Sequence, residues 1–168
     1  MSLHITPATK SARVWATTKD DLRDLIEQEI KYQGPDADLN FIDTSEITDM
    51  SKLFLGLAIR NIKIDEWNTS NVINMSYMFY GSTYFSCDLS HWDVSNVQMM
   101  NHMFWRCTNF ESDLSNWNTS RCTDMESIFF ACKKFNCDLS KWNVSSVERC
   151  SSVFLGCPID ESHKPKFH

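Results

Sequence analysis

The chain has 168 residues, 42% of them apolar, and a formal net charge of −6. That is one domain's worth of sequence with enough apolar content for a core, and no apolar run approaches the length of a membrane span. The acidic balance weighs against a nucleic-acid footprint, which needs clustered Lys and Arg.

The N-terminal stretch Met1 to Ala16 has no continuous apolar h-region, so no secretory signal is expected. Arg13–Thr17 reads as a short strand. Thr18 then opens a helix with Asp20 and Asp21 in its first turn, where acids favour the helix dipole. Leu22, Leu25, Ile26, Glu29 and Ile30 share one face of it, and Gly34-Pro35 stops it. This strand-helix unit, residues 1–40, is expected to cap the apolar end of the segment that follows.

From Ile42 onward the chain repeats. Trp67, Trp92, Trp117 and Trp142 are 25 residues apart without a slip, and a fixed period in this range means one supersecondary unit copied and stacked. Complete copies run Trp67–His91, Trp92–Asn116 and Trp117–Lys141, with a degenerate copy before them and a truncated one after. In each copy Asp or Asn follows the Trp position, and a Ser comes two residues later: Ser45, Ser70, Ser95, Ser120 and Ser145. Then come the apolar columns Ile47/Val72/Val97/Cys122/Val147 and Met50/Met75/Met100/Met125/Cys150, followed by Phe54/Phe79/Phe104/Phe129/Phe154. Val97, Met100 and Phe104 stand at i, i+3 and i+7, which predicts a helix of about two to three turns. The Ser column falls where an N-cap belongs, and Ser145 with Glu148 has capping-box spacing. Gly56, Gly81 and Gly156 fall where a helix C′ residue needs positive φ, with Arg106 and Ala131 departing from that column.

Between the expected helices, Asp-Leu-Ser at 88–90, 113–115 and 138–140 returns the chain to the Trp. Leu89, Trp92 and Val94 have the spacing of a leucine-rich-repeat strand. The expected fold is therefore α/β: a right-handed, leucine-rich-repeat-like solenoid of about five coils over residues 41–160, with short parallel strands on one face and short helices on the other. Residues 161–168 read as a polar, mobile tail.

Seven cysteines raise the question of disulfides or zinc. Cys107, Cys132 and Cys157 share one column, Cys87 and Cys137 another, and Cys122 and Cys150 replace Val and Met. Used this way, cysteine serves as a small core residue, and with an odd count and no C-x-x-C the thiols are expected to be reduced and metal-free. Cys107 and Cys132 would stand roughly 5 Å apart at strand spacing, near enough to oxidise in an oxidising compartment.

For a catalytic site the residues offer little. The Ser and Asp columns recur in register and are explained by caps and turns, whereas a catalytic group needs one particular partner. His91 and His102 are the solenoid histidines before the tail; His91, just before Trp92, is expected to be a solvated variable position. All four glycines are accounted for by capping, so no phosphate-binding loop and no cofactor is expected. The Trp column is expected to face inward. Leu55/Tyr80/Trp105/Phe130/Leu155 remains open between packing on the next loop and an apolar contact stripe through Tyr80, Trp105 and Phe130.

Asp38-Leu-Asn-Phe-Ile-Asp-Thr-Ser-Glu-Ile-Thr-Asp-Met-Ser-Lys-Leu-Phe54 and Trp-Asn-Thr-Ser-Asn-Val-Ile-Asn-Met-Ser-Tyr-Met-Phe at 67–79 resemble the BspA-type leucine-rich-repeat-like family of bacterial proteins. The resemblance covers residues 13–157 and implies a bacterial binding protein with no catalytic activity general to the family. Many relatives are cell-surface proteins or lipoproteins. This chain departs by Arg60 and Lys63 where later copies have Phe and Asp, and it is expected to depart in having no lipobox or signal. Together with the unpaired thiols, that expectation points to the cytoplasm.

The function expected is a non-enzymatic protein-binding scaffold without nucleic acid or membrane span. Variable positions inside a strict repeat are where partner specificity can be written. One such line is Glu66, His91, Asn116 and Lys141; a second is Glu46, Asn71, Asn96, Arg121 and Ser146. The alternatives are an acidic inhibitor or nucleic-acid mimic presenting Asp88, Asp113 and Asp138, and a surface adhesin. An Asp before Leu-Ser also bonds its own backbone, and that turn role is preferred.

Overall fold

The computed structural model describes residues 13–168; the stretch before Arg13, on which the expected lack of a signal rests, lies outside the described residues. The chain order is strand β1 (Val14–Trp15), helix α1 (Lys19–Gln33), strand β2 (Ile42–Asp43) and a short 3-10 helix (Glu161–His163). No described helix is long and apolar enough to cross a membrane.

The N-terminal unit follows its sequence signals. Thr18 caps α1 in a full capping box: its side chain accepts from the Asp21 N–H while Asp21 accepts from the Thr18 N–H. Gly34, at φ 87°, ends the helix and donates to Ile30. Leu22 and Ile26 are fully buried against the first copy. Arg23 Nη1 reaches the carbonyls of Leu53 at 2.7 Å and Leu55 at 3.2 Å. β1 pairs in parallel with β2, Val14 beside Ile42.

The expected α/β solenoid with a helix and a strand in every copy is overturned. Among the described residues α1 is the one α-helix, and β1 and β2 are the strands; the segments after Val72, Val97 and Cys122 are runs of turns. The reason is in the backbone. Lys52, Tyr77, His102, Ser127 and Ser152 form a column of left-handed residues with φ of 55–60°, four residues before a second left-handed column at Gly56, Gly81, Arg106, Ala131 and Gly156. A right-handed helix cannot pass through either. Met78 donates to Met75 and Ser82 to Phe79, which closes turns with Tyr77 and Gly81 at the position where a type II turn requires positive φ.

The intervening N–H groups leave the copy altogether. Met75, Tyr77, Phe79 and Gly81 donate to Met99, Asn101, Met103 and Trp105 of the next copy at 2.7–3.0 Å. Single parallel bridges mark the same ladder, from Asp49 through Asn74, Met99 and Asp124 to Arg149. The ladder thus runs through the segment expected to be helical, and copies are stacked by backbone hydrogen bonds that a helix would have consumed internally. Arg106 and Ala131, which depart from the Gly column, take its left-handed conformation anyway.

The Ser column is not an N-cap. Each Ser N–H donates instead to the Asx side chain two residues earlier, as Ser45 does to Asp43 and Ser95 to Asp93, both at 2.9 Å. The Trp column faces inward as expected, 3–5% exposed. Trp67 and Trp92 stack at 6.4 Å, and Phe79, Phe104 and Phe129 stack at 5.6 Å steps.

The departures in the first copy have a use. Arg60 pairs with Asp36, and Lys63 Nζ stands 3.4 Å from Asp38, tying the connection after α1 to the first copy. At the other end residues 161–168 do not stand free. Leu139 donates to the His163 carbonyl at 2.8 Å, Asn136 to Asp160 at 3.1 Å, Pro165 is buried and Phe167 packs on the core.

Candidate functional site

Because each copy repeats the same turns, a given column becomes a line parallel to the stack. Glu66, His91, Asn116 and Lys141 form the first such line, each held outward by the buried Trp that follows it and each exposed. None of the four side chains makes a hydrogen bond or ion pair among the described residues. His91 lies near enough to Asp88 to help hold that carboxylate below its usual range, behind the larger effect of the hydrogen bonds from Ser90. Asn116 and Lys141 also line an open groove of about 630 Å³ with Glu111, Asp113, Lys134 and Asp138.

The second line is different. Asn71 Nδ2 donates to the Ser45 carbonyl at 2.8 Å and Asn96 Nδ2 to the Ser70 carbonyl at 2.7 Å. Ser146 Oγ does the same to Ser120, and Arg121 Nη1 donates to Asn96 Oδ1 at 2.6 Å. These side chains brace one copy on the one before it, and Glu46 alone of the line makes no side-chain bond among the described residues. Glu46, Asn71, Asn96 and Arg121 still line a smaller groove of about 330 Å³ with Ile73 and Gln98.

The third column is a row of stacked rings. Tyr80, Trp105 and Phe130 are half-buried and stack face to face, Tyr80 on Trp105 at 4.4 Å and Trp105 on Phe130 at 5.5 Å. Leu55 and Leu155 extend the row at 37% and 59% exposure, and the Arg106 guanidinium lies 4.3 Å over Trp105. Ring faces are therefore spent on each other and only edges meet solvent, which leaves no open platform for a sugar or base. Beside this row Tyr77 stacks on His102 at 4.7 Å, and the buried Nδ1 of His102 has no hydrogen-bond partner among the described residues.

The Asp column is engaged in turns. Asp88, Asp113 and Asp138 accept from the N–H groups of Ser90, Ser115 and Ser140 at 2.9–3.0 Å, bonds that hold all three carboxylates below their usual range.

The cysteines do more than fill space. Cys107 and Cys132 donate their S–H to the carbonyls of Phe79 and Phe104 at 3.0 and 2.9 Å. Cys137 Sγ accepts from the Leu114 N–H at 3.2 Å, as Ser112 Oγ accepts from Leu89 at 2.9 Å one copy earlier. Ser and Cys alternate in these columns because the place needs a small hydrogen-bonding side chain, a polar role that the sequence reading missed and that Ser82 and Ser112 in the same columns signal. All seven thiols are free, and burial pushes Cys87 and Cys137 up to about 11 and Cys122 up to about 12. Among the described residues no group of three or more His, Cys, Asp or Glu could hold a metal ion.

Residues 21–129 and 88–160 match a family model described as "Mycoplasma protein of unknown function, DUF285". The chain belongs to the DUF285 family. Neither curated proteins nor solved structures give a match to it. In this DUF285 chain the family match spans the stacked copies and reaches back into α1.

Proposed function

We propose that this DUF285 chain is a non-enzymatic protein-binding scaffold whose partner meets the line Glu66, His91, Asn116 and Lys141. The observation that carries the reading is a contrast between two lines of variable residues. Asn71, Asn96, Arg121 and Ser146 are used to brace neighbouring copies, whereas the first line is exposed and carries no internal bond. Side chains that cost the stack nothing are free to vary for a partner. The line passes from an acid to a base along the axis, which fits a protein surface of opposite charge order. The Asp column supports a nucleic-acid mimic less, since its carboxylates are already committed to turns.

The Trp-Asn-Thr-Ser-Asn-Val-Ile-Asn-Met-Ser-Tyr-Met-Phe signature at 67–79 supports kinship with BspA-type bacterial repeat proteins. Seven free thiols, most of them buried or half-buried, suit a reducing compartment such as the cytoplasm.

The test uses the full chain as bait in lysate of the source cell, beside Glu66→Lys/Lys141→Glu and Trp105→Ala variants with matched melting curves. The reading expects one captured protein to be lost with the charge-reversed bait and kept with Trp105→Ala. The opposite pattern would move the interface to the aromatic edge and sink the proposal.

A further inference from the structure

We propose that the partner meeting the line Glu66, His91, Asn116 and Lys141 is a second copy of this chain, lying antiparallel to the first. The inference rests on the scaffold reading above, whose contact line it keeps, and adds the identity of the partner. The line is close to straight, because Trp67 stacks on Trp92 and Trp117 on Trp142 with ring planes only 7° and 6° apart. Its four side chains are exposed and make no hydrogen bond or ion pair among the described residues, so docking breaks no contact of the stack. Charge is also graded along the whole chain. Residues 13–66 hold twelve acids against seven Lys and Arg, whereas residues 117–168 hold six against seven.

The occupant follows from the order of the charges. Levels joined by backbone hydrogen bonds lie roughly 4.8 Å apart, which sets Glu66 and Lys141 roughly 15 Å apart at the two ends of the line. A two-fold axis crossing the stack between the levels of His91 and Asn116 lays the line of one copy on the same line of the other in reverse order. Glu66 then faces Lys141 of the second copy and His91 faces its Asn116, and symmetry makes each contact twice. Two copies side by side in the same direction would instead set Glu66 on Glu66 and Lys141 on Lys141, which like-charge repulsion opposes. The reversed register also brings Lys63 to Asp138 of the second copy. Asp88 meets Asp113 across the axis, but these carboxylates already accept from the Ser90 and Ser115 N–H groups of their own chains, and His91 lies near Asp88. At longer range the acidic first part of each chain lies over the last part of the other, so the overall field favours the same orientation. The contacts are polar and few, which makes the dimer a weak, reversible one that salt loosens.

The experiment is sedimentation equilibrium of the purified full chain at low salt. The parent is expected to dimerise reversibly and to lose about tenfold or more in affinity between about 0.05 and 0.5 M salt. Glu66→Lys turns both Glu–Lys contacts into Lys–Lys contacts, and Lys141→Glu turns both into Glu–Glu, so each variant alone should dimerise about tenfold more weakly or worse. An equal mixture of the two should form a heterodimer about as tight as the parent dimer, since each supplies the charges the other lacks. The double variant Glu66→Lys/Lys141→Glu should pair with itself as the parent does, but not with the parent, and Trp105→Ala should dimerise like the parent. A monomeric parent, single variants that associate unchanged, a mixture that stays monomeric, or loss of the dimer in Trp105→Ala would overturn the proposal. The scaffold reading fails separately, by the lysate capture: a monomeric parent whose captured protein is lost on charge reversal removes the second copy and leaves the scaffold standing.

Discussion

The indole Nε1–H of Trp92 donates to the carbonyl of Ile64, 28 residues earlier, at 3.0 Å. Trp67, Trp117 and Trp142 repeat the bond to Leu39, Leu89 and Leu114. Each Trp is therefore both the largest side chain between two levels and a buried donor that fixes their register. Trp117→Ala should cost about 3–5 kcal/mol through cavity and lost packing. Trp117→Phe should keep most of the buried area and remove one of the two hydrogen bonds to the Leu89 carbonyl, which keeps the Trp92 N–H, for about 0.5–1.5 kcal/mol. Trp105→Ala, at the half-buried edge, should cost less than Trp117→Ala. Urea denaturation ranks the three, and a Trp117→Ala midpoint equal to the parent's would refute the pinning role.

Left-handed residues make a second prediction, with a sign that separates turns from helices. Ala131 has φ 56° where three of the other four copies have Gly and the fourth has Arg106. Ala131→Gly should stabilise the protein by about 0.5–1 kcal/mol, since a left-handed Ala carries a steric penalty of roughly 1–2 kcal/mol that is offset in part by glycine's extra chain entropy. Gly81→Ala should destabilise it, although a Cβ there meets nothing within 4 Å. In a helix interior the Ala131→Gly change would be unfavourable, so a lower melting temperature for it would contradict the turn assignment.

The thiol columns should tolerate Ser better than apolar residues. Cys137→Ser keeps an acceptor for the buried Leu114 N–H and should fall within about 0.5 kcal/mol of the parent. Cys137→Ala orphans that N–H and should cost about 1–3 kcal/mol. Equal stabilities of the two variants in chemical denaturation would return these cysteines to a purely space-filling role.

Burial raises the thiols of Cys87 and Cys137 to about 11 and of Cys122 to about 12. Their folded pKa values exceed the unfolded value, about 8.5, so the stabilisation is whole below that pH and is lost as pH climbs toward 11–12. Native protein should react slowly with a thiol reagent at pH 8, and denatured protein should release seven equivalents. Rapid release of all seven from the native state would be inconsistent with this burial.

At acid pH the Asx turns dominate. Asp43, Asp93 and Asp138 are held below the ordinary carboxylate range by hydrogen bonds from Ser45, Ser95 and Ser140. Their folded values lie below the unfolded value of about 3.9, so their contribution is present above that pH and fades as pH falls through the folded values. Asn occupies the place of Asp43 and Asp93 in the second, fourth and fifth copies, so Asp93→Asn should keep the turn and move the acid unfolding midpoint to lower pH, read by circular dichroism. A midpoint that rises would show the turn depends on the charge.

What the sequence determined by itself was the period, the buried columns and the N-terminal cap. The 25-residue spacing of Trp67, Trp92, Trp117 and Trp142 can arise only from a stacked unit, and Thr18, Asp21 and Gly34 announce the ends of α1 through purely local hydrogen bonding. The inward face of each copy was legible because hydrophobic columns report burial whatever the backbone does. The path of that backbone was not. Spacings of three and four describe a helix and a run of turns alike, and most of the deciding residues, Lys52, Tyr77, Ser127 and Ser152, are of types that do not signal positive φ. Tyr77 and His102 each donate an N–H to the following copy, and that acceptor exists only once the copies are stacked. The same holds for the surface. Glu66 and Asn71 look equally variable in sequence, yet tertiary structure leaves the first free and binds the second to the Ser45 carbonyl of the preceding copy.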